Sequence, residues 1–196
     1  GLGNRLSSTL WDDASGLIAA NYYEESVTGF SAVSEQRDYC DVIINDASPG
    51  WDHIKNLLFE GRASLVPSSG RFKYLVNVDR NPSLLYSFPG NILEKSLQLE
   101  RGSSEKPVNT LRAEFPKLEL DYKVVPAKIT TADRGDDPER LEAISIISIV
   151  RKSQVSRLMN FHLKYLTQIR RKWAWKSPQT AIVSEPLDID WLSYNV

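Results

Sequence analysis

An α+β fold of short, mostly antiparallel strands with two packed α-helices is what this sequence predicts, on three observations. Brief β-prone runs recur between Pro, Gly and Asn punctuation from residue 39 onward, the spacing of an antiparallel sandwich or partly closed barrel. Two stretches, 49–60 and 153–172, instead place apolar residues at helical intervals. The 196 residues are 41% apolar and 25% charged with a formal charge of −1, and a chain of this size buries roughly 70% of its unfolded surface without disulfides or a structural metal.

Residues 1–38 are the least regular, with one short helix expected over 14–23 behind Asp12 and Asp13. Cys40-Asp41-Val42-Ile43-Ile44 is a β-prone run, and Asn45 to Gly50 carries turn and cap residues. Ser48 suits an N-cap with Pro49 at the first helical position; Trp51, Ile54, Leu57 and Leu58 share a face, and Gly61 stops the helix. Ala63 to Val66 and Arg71 to Val78 flank Pro67-Ser68-Ser69-Gly70 and read as a hairpin. Extended segments are expected at 84–88, 93–99, 108–115, 118–128 and 143–150, with Pro116 as one separator.

The long helix opens at Ser153 as N-cap. Its stripe is Val155, Leu158, Met159, His162, Leu163, Leu166 and Ile169, and Arg170-Arg171-Lys172 forms its last turn. Trp173 to Lys176 switches to period two, and Gln179 to Ser184 is expected as a final strand. The domains read as 1–38, an irregular N-terminal segment or insertion; 39–90, a helix plus hairpin; and 91–196, a β-rich part containing the helix 153–172.

Composition excludes several classes. No apolar run reaches the roughly 18 to 20 residues that span a bilayer, so no membrane insertion by this segment is expected. Cys40 is the single cysteine, which rules out an intrachain disulfide and suits a reducing compartment. A first residue other than Met, with the one Met159 deep in the chain, reads as a piece of a longer protein.

Catalytic and cofactor signals are absent from the sequence. His53 and His162 are the two histidines, and neither sits in a nucleophile or zinc motif. No phosphate-cradling glycine loop occurs. The carboxylates Asp133, Asp136, Asp137 and Glu139, and again Glu185, Asp188 and Asp190, lack calcium-loop spacing and read as solvated loops. Arg134-Gly135-Asp136 reads as a turn. The expectation is therefore no catalytic residue, no cofactor and no metal.

The stretch from Arg151 to Lys176 holds Arg151, Lys152, Arg157, Lys164, Arg170, Arg171, Lys172 and Lys176 without one acidic residue. Cations interleaved with Trp173 and Trp175 could grip phosphates and stack on bases, which makes a nucleic-acid-binding module the alternative function. The favoured reading puts the cations on a helix end and the tryptophans in a core or subunit interface. A third reading, a polysaccharide hydrolase, would need a carboxylate pair from Glu24, Glu25, Asp121 and Asp137.

The order of segments adds what single motifs do not. The stretches are Tyr39-Cys40-Asp41; Trp51-Asp52-His53-Ile54 opening a helix that ends Gly61-Arg62-Ala63; Val78-Asp79-Arg80-Asn81-Pro82; Phe88-Pro89-Gly90-Asn91-Ile92-Leu93; Val108 to Pro116 running into Leu120-Asp121-Tyr122; and Arg151 to Leu158 leading the long helix. From Tyr39 to about Asp190 the chain resembles the hub region of tailed-phage tail-tip proteins, the baseplate-hub-like family of lambda-type tip attachment proteins. It departs where that family often carries a glycine-aspartate step and this chain has Glu185-Pro186-Leu187-Asp188.

The resemblance implies a homotrimer that closes the tail tube and links it to the host-recognition fibre. It implies distal tail, tape-measure and fibre partners, DNA only in transit through the lumen, and a virion tail-tip location after assembly in the host cytoplasm. It carries over no catalytic residues. Trp173, Trp175 and Trp191 are the expected packing or interface aromatics, with Arg170, Arg171 and Lys172 as polar rim or lumen residues.

Overall fold

Three α-helices and eleven short strands form among the described residues, and the fold is α+β. The structure is a computed structural model that describes residues 8–29, 32–44, 47–78, 81–88, 90–101, 107–169, 171–178, 184 and 188–194.

The first helix, α1 (Asp13–Glu24), starts where Asp12 accepts a bond from the Ser15 amide at 3.3 Å, satisfying one of the orphan donors of a helix start. A short antiparallel pair follows, β1 (Ser26–Thr28) with β2 (Ser34–Gln36); its three-residue strands gave no periodic signal.

The run Cys40 to Ile44, expected as a strand, lies outside any strand. Its approach is tied to a helix instead. The Tyr39 amide donates to Gln154 Oε1 at 3.1 Å and Gln154 Nε2 donates to the Tyr39 carbonyl at 3.0 Å, so one side chain satisfies both backbone groups that a ladder would use.

The second helix is α2 (Gly50–Glu60). Pro49, rather than Ser48, occupies the N-cap, and Trp51, expected on the buried face, is 51% exposed. Gly61 follows the helix, and a Cβ there would stand 2.9 Å from the Tyr23 hydroxyl. That hydroxyl donates to the Gly61 carbonyl at 2.7 Å, a close approach that only glycine permits.

The hairpin joins β3 (Ala63–Ser68) and β4 (Arg71–Val76). Its turn is the two residues Ser69 and Gly70, both at positive φ, the twist-matched connection for paired strands. Pro67, expected in the turn between the strands, pairs with Phe72 inside the ladder. A strand with only one neighbour tolerates proline because its free edge needs no donor.

Beyond the hairpin come β5 (Leu85–Phe88), β6 (Gln98–Arg101), β7 (Thr110–Lys117), β8 (Lys123–Thr130), β9 (Leu141–Ser145), α3 (Lys152–Gln168), β10 (Arg171–Ala174) and β11 (Trp191–Tyr194). Residues 93–97, expected as strand, turn instead, with Ser96 donating to the Leu93 carbonyl. β7 runs through Pro116 rather than ending before it, and Asp121 and Tyr122 at positive φ turn the chain into β8. The expected strand over 179–184 falls mainly on residues outside those described.

Two compact units result. One joins residues 1–76 to 107–168, the other 77–106 to 169–196. The division at 38/39 and 90/91 stays an expectation from sequence; the compact units are cut by pairing between distant segments.

The first unit holds the main core. β7 is central, antiparallel to β8 and parallel to β9, and alternation turns Leu111, Ala113 and Phe115 inward and Arg112 and Glu114 outward. Against them pack Ile146, Ile149 and the α3 residues Val155, Leu158, Met159 and Leu163. Each large apolar side chain so buried contributes about 1.5–3 kcal/mol relative to exposure. Buried Asn109 closes the base of the sheet. Its side chain accepts from the Arg140 amide at 2.8 Å and donates to the Pro138 carbonyl at 2.9 Å.

The second unit is thinner. β6 and β10 form an antiparallel ribbon, and β5 and β11 pair in parallel. Asp190 organises the latter, accepting from the Leu84 amide and the Ser184 hydroxyl, each at 3.0 Å.

Candidate functional site

The expected last helical turn, Arg170-Arg171-Lys172, is not helical. α3 stops at Gln168 because its stripe has no core left to cover: Leu166 packs on the core, whereas Ile169 is 60% exposed. Arg171 and Lys172 instead open β10, while Arg170 lies outside the described residues.

In the ribbon Arg171 faces Arg101, Lys172 faces Glu100 and Trp173 faces Leu99. Lys172 and Glu100 pair at 3.5 Å with both side chains more than half exposed, a geometry worth about 0–1 kcal/mol. Trp173 and Leu99, directly opposite one another, share a face and are each 38% exposed. Every described side chain of the ribbon is solvent-exposed. A two-stranded ribbon is marginal alone, and the described side chains of this one all keep part of their surface open to solvent.

Trp175 behaves differently from Trp173. It is half-buried and meets the ring of buried Tyr86 edge-on, centroids 4.9 Å apart, while the Tyr86 hydroxyl bonds Ser184 at 2.9 Å. Trp191 begins β11 beside Leu85. The structure therefore separates the tryptophans into one packing residue, Trp175, and one surface residue, Trp173.

A polar network that sequence reasoning missed holds residues 34–41 of the first unit. Arg157 reaches back from α3 to Glu35 and to the Arg37 carbonyl. Arg37 pairs with Glu25 at 2.5 Å and lies over the Tyr22 ring at 4.4 Å, and Arg62 stands 3.8 Å from Asp38. Burial works against the Glu35 carboxylate, but hydrogen bonds from Arg157 and Ser153 outweigh it and hold its pKa below the usual range. Asp38 shifts the other way, because burial outweighs the pull of the three arginines. The only sequence signal for this network is long cations set among apolar residues.

Beside it lies a cavity of about 460 Å³, lined mainly by Ile54, Leu57, Leu58 and Ile149 with Tyr23 and Tyr74 as polar members. Buried Glu60 borders it. Its carboxylate accepts from the Ile147 amide at 2.7 Å, the Ser148 amide at 2.9 Å and the Ser148 hydroxyl. These bonds tie the end of α2 to the chain leaving β9.

Little here is poised for catalysis. Burial pushes the exposed-edge Cys40 thiol upward, away from the reactive thiolate. His162 stacks on Phe59 at 4.3 Å, and burial followed by the nearby Arg62 charge keeps its ring neutral. Glu25 and Asp137 are engaged with Arg37 and Arg140. Among the described residues no group of three or more His, Cys, Asp or Glu could hold a metal ion, and no helix is long and apolar enough to cross a membrane.

No protein-family model and no curated protein matches the chain. Among solved structures its fold is shared with a chain from the virion of a native gene transfer agent particle, at TM-score 0.52 and 13% identity, over 65% of this chain and 29% of that one. Weaker likenesses are to the prophage MuSo2 43 kDa tail protein from Shewanella oneidensis, at TM-score 0.49 and 11% identity over 77% and 47% of the two chains. A third is prophage tail protein gp18 from Listeria monocytogenes EGD-e, at TM-score 0.39 and 10% identity over 80% and 54%. The last two score too low to carry an argument. The chain spans less than two thirds of the length of each of these proteins, and the likeness is one of fold.

Proposed function

We propose that this chain is a structural segment of a phage or prophage tail, part of a trimeric tail-tip hub that closes the tube and links it to the host-recognition fibre. The observation that carries the reading is the fold shared with a chain of a gene transfer agent virion. The ordered segments resembling tail-tip hubs support it independently. Its partners are then further copies of itself and neighbouring tail proteins, its role is mechanical rather than catalytic, and it reaches the tail tip after assembly in the host cytoplasm.

The exposed β6/β10 ribbon supports an assembly role, with Trp173 as an interface aromatic and Arg171 and Lys172 on its rim. The nucleic-acid reading gains less, because Arg157 is engaged by Glu35 and Arg151 lies over the Tyr39 ring, which draws two of its cations away from phosphates. Electron microscopy of particles carrying a small labelled tag on this segment tests the proposal. Threefold density at the distal end of the tail is expected; label absent from purified particles would overturn it.

A further inference from the structure

A groove of about 760 Å³ opens beside residues 40–44 in the first unit, with an apolar wall of Val42, Ile43, Ile44, Pro116, Tyr122 and Ile147 and a polar one of Ser48, Asp52, His53 and Asn56. Ile43 is 88% exposed, Tyr122 56% and Ile44 51%, an unusual concentration of bare apolar surface. The backbone of Ile43 and Ile44 has no ladder partner among the described residues. A groove with one apolar wall, next to β-branched residues that lack a ladder, is the setting in which a strand from elsewhere adds. Asp41 and Asp52 line the same groove, so an occupant with apolar side chains and cationic flanks is favoured.

The same chain carries such an element. One face of the β6/β10 ribbon presents Trp173, Leu99 and Arg171, β10 has one strand neighbour among the described residues, and no acidic residue occurs from Arg151 to Lys176. With a net charge of −1, two copies do not repel as wholes, so oppositely charged patches decide the approach.

We infer that the ribbon of one copy enters the groove beside residues 40–44 of the next, Trp173 against Ile43 and Tyr122 and Arg171 toward Asp41. The inference rests on the tail-hub reading and names the faces through which copies meet. Such a contact joins unlike faces, so it repeats from copy to copy until a ring closes.

Cys40 lines the groove and is the sole cysteine, which supplies the test. The unaltered chain, with one thiol, can be disulfide-linked no further than a dimer. Arg171→Cys in the full chain places a second thiol beside Cys40, and mild oxidation is expected to yield a nonreducing ladder beyond the dimer, lost when Cys40→Ser is added. Disulfides form only when Cα atoms come within about 4.4–6.8 Å, so the ladder reports contact. Trp173→Cys with Ile43→Cys in a Cys40→Ser background repeats the test at the other proposed contact.

Arg171→Asp should weaken self-association about tenfold or more, and adding Asp41→Arg should restore it. A trimer by light scattering that gives no ladder with either cysteine variant would overturn the proposed faces and leave the hub reading standing. A monomer at every concentration, without a ladder, would overturn both. A disulfide closing within one chain would also overturn the inference.

Discussion

The two compact units solve the same problem with different means. In the first, one central strand is covered on a face by a 17-residue helix, and nine core residues from β7, the chain after β9 and α3 are nearly inaccessible to water. Among the described residues of the second, the ribbon has two strands whose side chains all stay partly exposed, and Tyr86 and Ile92 are the buried large apolar residues. Stability is thus generated in the core of the first unit and, on the proposed reading, left to a partner at the ribbon. The first unit buries a core of its own while leaving apolar side chains bare beside residues 40–44; the second, on the proposed reading, presents the ribbon that assembly covers.

The largest effect should come from the first unit's core. Phe115→Ala removes the largest fully buried side chain and is expected to lower unfolding free energy by about 3–5 kcal/mol, read by urea denaturation. A loss no greater than that of a ribbon substitution would erase the contrast between the units. Next comes Glu60→Gln, which leaves one oxygen to serve three donors. A cost of about 2 kcal/mol is expected from weakened charged hydrogen bonds, measured in the same way.

A pH dependence sharpens the picture of α2 against α3. The His162 pKa is lowered from 6.5, by burial first and Arg62 second, so the neutral ring is the folded form. Its stability is complete above the unfolded value and drains as pH falls below about 6.5, at no more than about 1.4 kcal/mol per pH unit, until the depressed folded value is passed. Unfolding free energies at about pH 7.5 and about pH 5.5 should therefore differ more for the unaltered chain than for His162→Phe. Equal differences would remove the histidine from the account.

The smallest stability effect belongs to Trp173→Ala, within about 0.5 kcal/mol as for other surface changes, although self-association should fall. Trp175→Ala should do the opposite, lowering the melting temperature through the lost Tyr86 contact. Reversal of the two outcomes would exchange the packing and surface tryptophans.

Much of the fold was legible where one local rule governed. Apolar spacing located α2 and α3, and Ser69-Gly70 lay within the segment read as the hairpin turn. What stayed hidden depended on partners distant in sequence. The Cys40 to Ile44 run has strand composition, but Gln154, more than 100 residues away, takes the backbone bonds of Tyr39. The end of α3 was missed for a similar reason: Arg170 to Lys172 continue a helical pattern, yet β6 offers a ladder from 70 residues upstream. The parallel β7–β9 pair leaves no turn signal, since its strands are not adjacent in the chain. At the candidate site, the sequence singled out Trp173 and Trp175 together; only packing distinguishes them.

The central claim is that the core of the first unit is complete in itself and that the ribbon is completed by assembly. Amide hydrogen exchange on assembled and dissociated full-length chain tests it most directly, since protection reports local opening. The account predicts that β7 and α3 amides are protected in both states, whereas β6 and β10 amides gain protection only in the assembly. Ribbon amides as slow as those of α3 in the dissociated chain, or fast in both states, would contradict it.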